Sequence, residues 1–306
     1  MTKSWIGKKL RMATMVVANL AITVQPILAQ SIVADGGGSG PTVLQTNNGV
    51  DMVMIETPNA AGVSVNTYGQ FDVASSGVIL NNINTNYGVT NLGGFVQGNS
   101  NLKNGTASLI VNQVTSNNSS ELLGYVEVGG ARADVVIANP YGITCNGCGF
   151  INTDHVALTT GSLNYGSGGA LRSIRVEDGA IQIGERGLDA RGVSQFDIIA
   201  RQVRFAGSVQ GQRVLVVAGQ NDVIFATGAT TARAGDGASG PEYAIDSTVF
   251  GGMYATKITI VSTERGSGVR APAKMATSAQ GMSITADGRL VLGQVSSEGG
   301  ITAQSH

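Results

Sequence analysis

The sequence predicts an all-β protein, built as a solenoid of short strands stacked coil on coil. Three observations carry that reading. The aliphatic content is heavy in valine and isoleucine, while Asn, Ser, Thr and Gly fill the gaps, a mix that favours strands and tight turns over helices. Charged residues are 13 % of the 306 while hydrophobic residues are 42 %, so a core is available and disorder is excluded. Beyond about residue 155, apolar triplets return at short, fairly regular intervals with glycine-rich corners between them.

Residues 1–29 read as a secretory signal peptide. Lys3, Lys8, Lys9 and Arg11 form the charged n-region, and residues 12–24 form an apolar run of about 13 residues. Pro26 breaks the helix, and Ile27-Leu28-Ala29 precedes Gln30 as the cleavage point. The alternative, a membrane anchor, needs roughly 20 apolar residues; this run is shorter and holds Asn19 and Thr23. Removing the four cations leaves 15 basic against 20 acidic residues. That balance argues against a nucleic-acid footprint and gives no polybasic membrane patch. The expected location is through the periplasm to the outside, secreted or on the cell surface.

Residues 30–41, with Asp35-Gly36-Gly37-Gly38-Ser39-Gly40, read as a flexible leader. Strand candidates follow at 50–57, 62–73, 77–80, 107–114, 124–128 and 133–138, each bounded by Asn, Gly, Ser or Pro. The quasi-periodic series then runs through 156–158, 174–176, 181–183, 196–199, 203–205, 214–217 and 223–225. No helix-length amphipathic segment intervenes, so a βαβ fold is excluded. A sandwich and a solenoid of about 20 residues per coil both fit an all-β chain. Strands recurring at glycine corners without regular hairpin dipeptides favour the solenoid. Residues 245–269 read as one broader coil with an excursion. Residues 281–306 read as the start of a cleaner repeat, and the stop at His306 suggests a fragment or a short family member.

Two stretches carry a resemblance. One is Asn99-Ser100-Asn101-Leu102 with Lys103-Asn104-Gly105-Thr106-Ala107. The other runs from Ala138-Asn139-Pro140-Tyr141-Gly142 through Ile143-Thr144-Cys145-Asn146-Gly147-Cys148 to Asn152. Together they resemble the paired asparagine motifs of the two-partner secretion domain of filamentous haemagglutinins, haemolysins and contact-dependent growth inhibition exoproteins. The likeness spans roughly residues 42–300, with 42–280 as the domain itself. It implies a right-handed parallel β-helix with an N-terminal cap and small extra-helical sheets. It also implies a partner: an outer-membrane β-barrel transporter with periplasmic POTRA domains, which the exoprotein crosses unfolded. Ser100 departs from the usual proline of the first motif, and loses its φ restraint. Tyr141 departs from the usual asparagine of the second.

Asn139-Pro140-Tyr141-Gly142 is a turn on physical grounds. Proline presets φ, Asn bonds the backbone two residues on, and Gly142 tolerates positive φ. Its role is either a recognition turn shown to the transporter or a turn that seats the cap on the first coils. The same two readings apply to Asn99, Asn101 and Leu102. Cys145 and Cys148 form a C-x-x-C; in an exported chain a disulfide is the default, with a free pair, a metal site or redox catalysis as alternatives. Asp154-His155 prompts a triad search, but no nucleophile elbow, P-loop or H-E-x-x-H is present. His155 is then a lone surface histidine, and Asp134, Asp154, Asp178 and Asp189 are corner or surface residues. No catalytic residue, metal or cofactor is expected, and no small-molecule substrate. The function expected is a transporter-recognised exoprotein leading to an adhesin, haemolysin or growth-inhibition toxin, with host or neighbouring cells as targets. A polysaccharide-acting β-helix enzyme and a purely adhesive module are the alternatives.

Overall fold

The computed structural model describes residues 31–35, 40–234 and 240–306. The expected signal peptide and its Ala29–Gln30 cleavage point lie outside these residues. What is described is a parallel β-helix with three faces, and the sandwich is ruled out by the pairing. On the first face, Asp51–Met54, Val78–Asn82, Tyr125–Gly130 and Cys148–Ile151 pair in parallel, coil on coil. The second face stacks Val63–Phe71, Leu109–Val114, Asp134–Ala138 and His155–Thr159 in the same way. Leu188–Ala200 and Ser208–Ala218 bend round the corner and serve both faces, with the register broken between Ala190 and Gln195. The third face is a seven-stranded parallel sheet from Ser120–Leu122 to Leu290–Val291.

Register turns the valine and isoleucine runs into ladders. On the second face Ile110, Val135, Val156, Phe196, Val214, Ile258 and Met282 stand one above the next. On the third, Ile143, Ile181, Val203, Ile245 and Val269 do the same. All of these point into one continuous core. Burying each such side chain contributes about 1.5–3 kcal/mol, which is why like residues sit at like positions in successive coils.

The second face is buried on both sides. Val135 and Ile137 point into the central core, whereas Val136 and Ala138 point outward into a second core with Val111, Ile199 and Val217. Alternate residues of a strand face opposite ways, so a run such as Val135-Val136-Ile137-Ala138 needs cover on each side. The outer cover is a four-stranded antiparallel sheet of Ser162–Tyr165, Leu171–Val176, Asn221–Ile224 and Thr230–Ala232. It is assembled from two separate excursions out of the coil, which meet where Leu171–Val176 pairs with Asn221–Ile224. Here the sequence reading is corrected. Residues 174–176 and most of 223–225 are strands of this outer sheet, not coil strands, because a short Val/Ile run carries no record of its direction.

The stack is closed at its start by antiparallel strands. Ile32–Ala34 pairs antiparallel with Val63–Phe71, and Thr42–Gln45 with Asp51–Met54. The stretch read as a flexible leader therefore supplies a cap strand, with Ile32 fully buried beside Tyr68 and Phe71. A hairpin of Tyr87–Thr90 and Gly94–Gln97 covers the outer side of the first face, over Met52, Met54, Ile79 and Ile83. From Met282–Ala286 to Ile301–Ser305 the coil continues in unchanged parallel register.

Candidate recognition surface

The two asparagine turns are built alike. Asn99 is buried, and its Nδ2 donates to the carbonyls of Ile55 at 2.8 Å and Asn81 at 3.0 Å. Its Oδ1 accepts the Asn101 N–H at 3.0 Å, opening the 3-10 turn Ser100–Leu102. Leu102 anchors that turn in the core. Asn139 is fully buried; its Nδ2 donates to the Asn118 carbonyl and to Ser120 Oγ, both at 2.9 Å. Its Oδ1 accepts the Tyr141 N–H at 2.9 Å, and its carbonyl accepts the Gly142 N–H. Gly142 sits at φ +113°, a conformation L side chains rarely adopt. Each asparagine thus spends both ends of its amide inside the protein, fixing its turn and one or two neighbouring segments at once.

What the turns show outward is different. Ser100, Pro140 and Tyr141 are exposed, Tyr141 by 60 %. Two roles that the sequence held apart therefore fall on adjacent residues: the asparagines hold the turn and their neighbours face solvent. The two turns share no hydrogen-bond partner among the described residues; each sits on its own corner of the coil.

Below the second turn, Cys145 and Cys148 are joined by a disulfide, with Cα atoms 5.4 Å apart and both side chains buried. The bridge spans the corner from the third face to the first. Its intervening residues are tied to neighbouring coils. The Asn146 N–H donates to the Leu122 carbonyl at 2.9 Å, and the Gly147 N–H donates to the Gly187 carbonyl at 2.8 Å. Among the described residues no group of three His, Cys, Asp or Glu side chains is placed to hold a metal.

His155 is not a lone surface residue. Its Nε2 lies 2.8 Å from Asp197 Oδ2, and its ring stacks on Phe225 at 4.6 Å. Asp197 is buried and also accepts from Gln195 Nε2 at 3.1 Å. The partner lies one coil further on, so nothing local in the sequence announces it. Of the scattered aspartates, Asp134 accepts the His155 N–H at 3.1 Å, and burial pushes its carboxyl above the usual range. Asp189 accepts two bonds from the Arg191 guanidinium, which hold its carboxyl down at about 2 against an opposing effect of burial.

The surface that sequence reasoning passed over is the hairpin. Tyr87-Gly88-Val89-Thr90 and Gly94-Phe95-Val96-Gln97 alternate about a short loop with glycine, which is a hairpin signal that could have found it. Glu127, buried beneath, fixes the loop: its two carboxylate oxygens accept the N–H groups of Asn91 at 2.6 Å and Leu92 at 2.7 Å.

Three comparisons bear on this architecture. The model of the TPS secretion domain family matches residues 29–292. The chain is 44 % identical over 274 residues to tRNA nuclease CdiA-2 of Burkholderia pseudomallei, covering 89 % of this chain and 9 % of that protein. It is 45 % identical over 271 residues to Toxin CdiA of Yersinia pestis, covering 87 % of this chain and 8 % of that one. The chain thus spans under a tenth of the length of these curated relatives. Among solved structures, the filamentous hemagglutinin secretion domain matches with a TM-score of 0.78 at 35 % identity, over 90 % of this chain and 100 % of that one.

Proposed function

The chain belongs to the TPS secretion domain family, and from that membership we propose that its capped coils are the export-recognition head of a two-partner exoprotein. In this reading an outer-membrane β-barrel transporter takes the chain up through its periplasmic POTRA domains. The exoprotein then stands secreted or on the cell surface and serves adhesion or toxin delivery. The observation that supports it is the division of labour at the two turns. Asn99 and Asn139 fix the backbone from within, and Ser100, Pro140 and Tyr141 are displayed beside them. A rigid turn showing exposed side chains loses little entropy when a partner docks.

The enzymatic alternative needs free acids in a groove. Among the described residues the two buried acids are already engaged, Glu127 with the hairpin loop and Asp197 with His155, and the half-buried Glu264 meets Arg201 through two bonds of 2.7 and 3.1 Å. We therefore read the domain as a recognition module and not an enzyme.

Replacing Asn139 with alanine leaves the Asn118 carbonyl, Ser120 Oγ and the Tyr141 N–H short of a partner. Ser120 Oγ is buried whereas Asn118 and Tyr141 lie at the surface within reach of water, so the cost is about 1–2 kcal/mol. Asn139→Ala should lower both the melting temperature and the amount secreted with the cognate transporter. Tyr141→Ala should leave melting unchanged and weaken capture of the chain by a POTRA fragment. Wild-type secretion and wild-type capture for both variants would refute the reading.

A further inference from the structure

Asparagine followed by glycine is the step at which a side-chain amide most readily turns on its own backbone, because glycine has no Cβ to shield the nitrogen that follows. Three such steps stand in this chain: Asn48-Gly49, Asn104-Gly105 and Asn146-Gly147. As sequence they are equivalent, and the fold makes them different.

Asn48 is exposed, but its carboxamide is spent at both ends. Its Nδ2 donates to the Leu92 carbonyl at 2.8 Å, and its Oδ1 accepts from Thr46 Oγ1 at 2.7 Å. Asn146 lies inside the ring closed by Cys145 and Cys148, and its Oδ1 accepts the Arg186 N–H at 2.9 Å. Asn104 is exposed like Asn48, yet its carboxamide makes no hydrogen bond among the described residues. The glycine nitrogens follow the same order. The Gly147 N–H donates to the Gly187 carbonyl at 2.8 Å and the Gly49 N–H to the Thr46 carbonyl at 2.9 Å, whereas the Gly105 N–H reaches the Leu102 carbonyl at 3.1 Å.

Space around the nitrogen separates the steps again. A Cβ built on Gly147 would lie 3.4 Å from the Arg186 side chain, while one on Gly105 would meet nothing within 4 Å. The Asn104 loop is anchored on both sides. Leu102 sits in the core, and the Ala107 N–H donates to Asn82 Oδ1 at 2.8 Å. Between these anchors an unheld carboxamide stands next to a nitrogen with an open flank.

We propose that Asn104 is a site of self-modification, an intramolecular deamidation that marks the folded chain with age. The Gly105 amide nitrogen attacks Asn104 Cγ and gives up its proton to solvent. The bond from Cγ to the carboxamide nitrogen breaks, and ammonia leaves. Water then opens the cyclic imide at either carbonyl, yielding aspartate or isoaspartate, with no oxidant or reductant consumed. Aspartate places a carboxylate beside Lys103. Isoaspartate also adds a methylene to the main chain between the buried anchors Leu102 and Ala107, next to the first asparagine turn. At Asn48 and Asn146 the same attack must first break the bonds that hold the carboxamide. The inference stands apart from export, because it requires only the folded loop.

The test is to age the purified, folded chain in mildly alkaline buffer and follow each Asn-Gly peptide by mass spectrometry, with a urea-denatured sample aged in parallel. In the folded chain the amide-to-acid mass shift should grow at Asn104 about tenfold faster than at Asn48 or Asn146, a barrier difference of about 1.4 kcal/mol. In urea the rates at Asn104 and Asn48 should converge. Asn104→Gln should melt like the wild type and give no acid product at that position. Thr46→Val removes the donor to Asn48 Oδ1 and should speed the reaction at Asn48. Retention of the Asn104 amide in the folded chain would overturn the assignment, as would folded-state rates at Asn48 or Asn146 equal to or above that at Asn104. So would the same ranking of Asn104 over Asn48 in urea, which would trace the difference to sequence and not to the fold.

Discussion

At the scale of single residues, the polar groups inside this coil explain more than the apolar ones. Asparagine can donate and accept from one rigid amide, so it is suited to joining a corner to its neighbours. Asn82 shows it plainly: its Nδ2 donates to the carbonyls of Ala107 and Ala131, both at 2.9 Å, and its Oδ1 accepts the Ala107 N–H at 2.8 Å. Charged residues follow the same economy at the surface. Asp189 is held down at about 2, mainly by hydrogen bonds from Arg191, from an ordinary value of 3.8. Its folded-state pKa lies below the unfolded one, so its contribution is present above about pH 4 and is lost as pH falls toward about 2. Partial exposure and salt screening keep that contribution small. Asp189→Asn should therefore melt slightly below the wild type at pH 6, with the gap closing by about pH 2. A gap that stays constant across that range would show the pairing to be without effect.

At the scale of elements, much was legible and some was not. The strand candidates at 62–73, 107–114 and 133–138 lie on Val63–Phe71, Leu109–Val114 and Asp134–Ala138, because Asn, Gly and Pro mark where a strand must stop. The run at 214–217 proved to be the end of the longer Ser208–Ala218, since a strand that bends round a corner keeps its pairing through polar residues. The outer sheet was not legible. Ile174 and Val223 look like coil residues in sequence and are fully buried in either case; only the partner differs. The turn at Asn139 was legible from its own residues, whereas the burial of its amide depends on Asn118 and Ser120, which no turn rule supplies. Ile174→Ala removes a buried side chain from the second core and should cost about 2–4 kcal/mol. Amide exchange in Ser162–Tyr165, Leu171–Val176 and Asn221–Ile224 should speed up, with the central ladders unchanged. Equal acceleration through Ile143–Cys145 and Gln202–Phe205 would show that the outer sheet and the coil open as one unit.

At the scale of the whole coil, stability passes between neighbours. Each strand pairs with the coil before it and the coil after it, so the folded stack behaves as a row of linked units. Protection from exchange should be greatest where both neighbours and both sides are present, at Ile198, Ile199, Val216 and Val217. Uniform protection along the ladder would refute this linear picture. The outer sheet breaks the rule of adjacent partners, and that has a consequence in time. For a chain laid down from its N-terminus, Leu171–Val176 arrives long before Asn221–Ile224, with two full turns of the coil to be wound in between. During that interval its far edge stays unsatisfied and the flank beneath it is only half roofed. Completion of the roof is thus a late event that reports on the earlier winding, a built-in delay that a simple coil does not have.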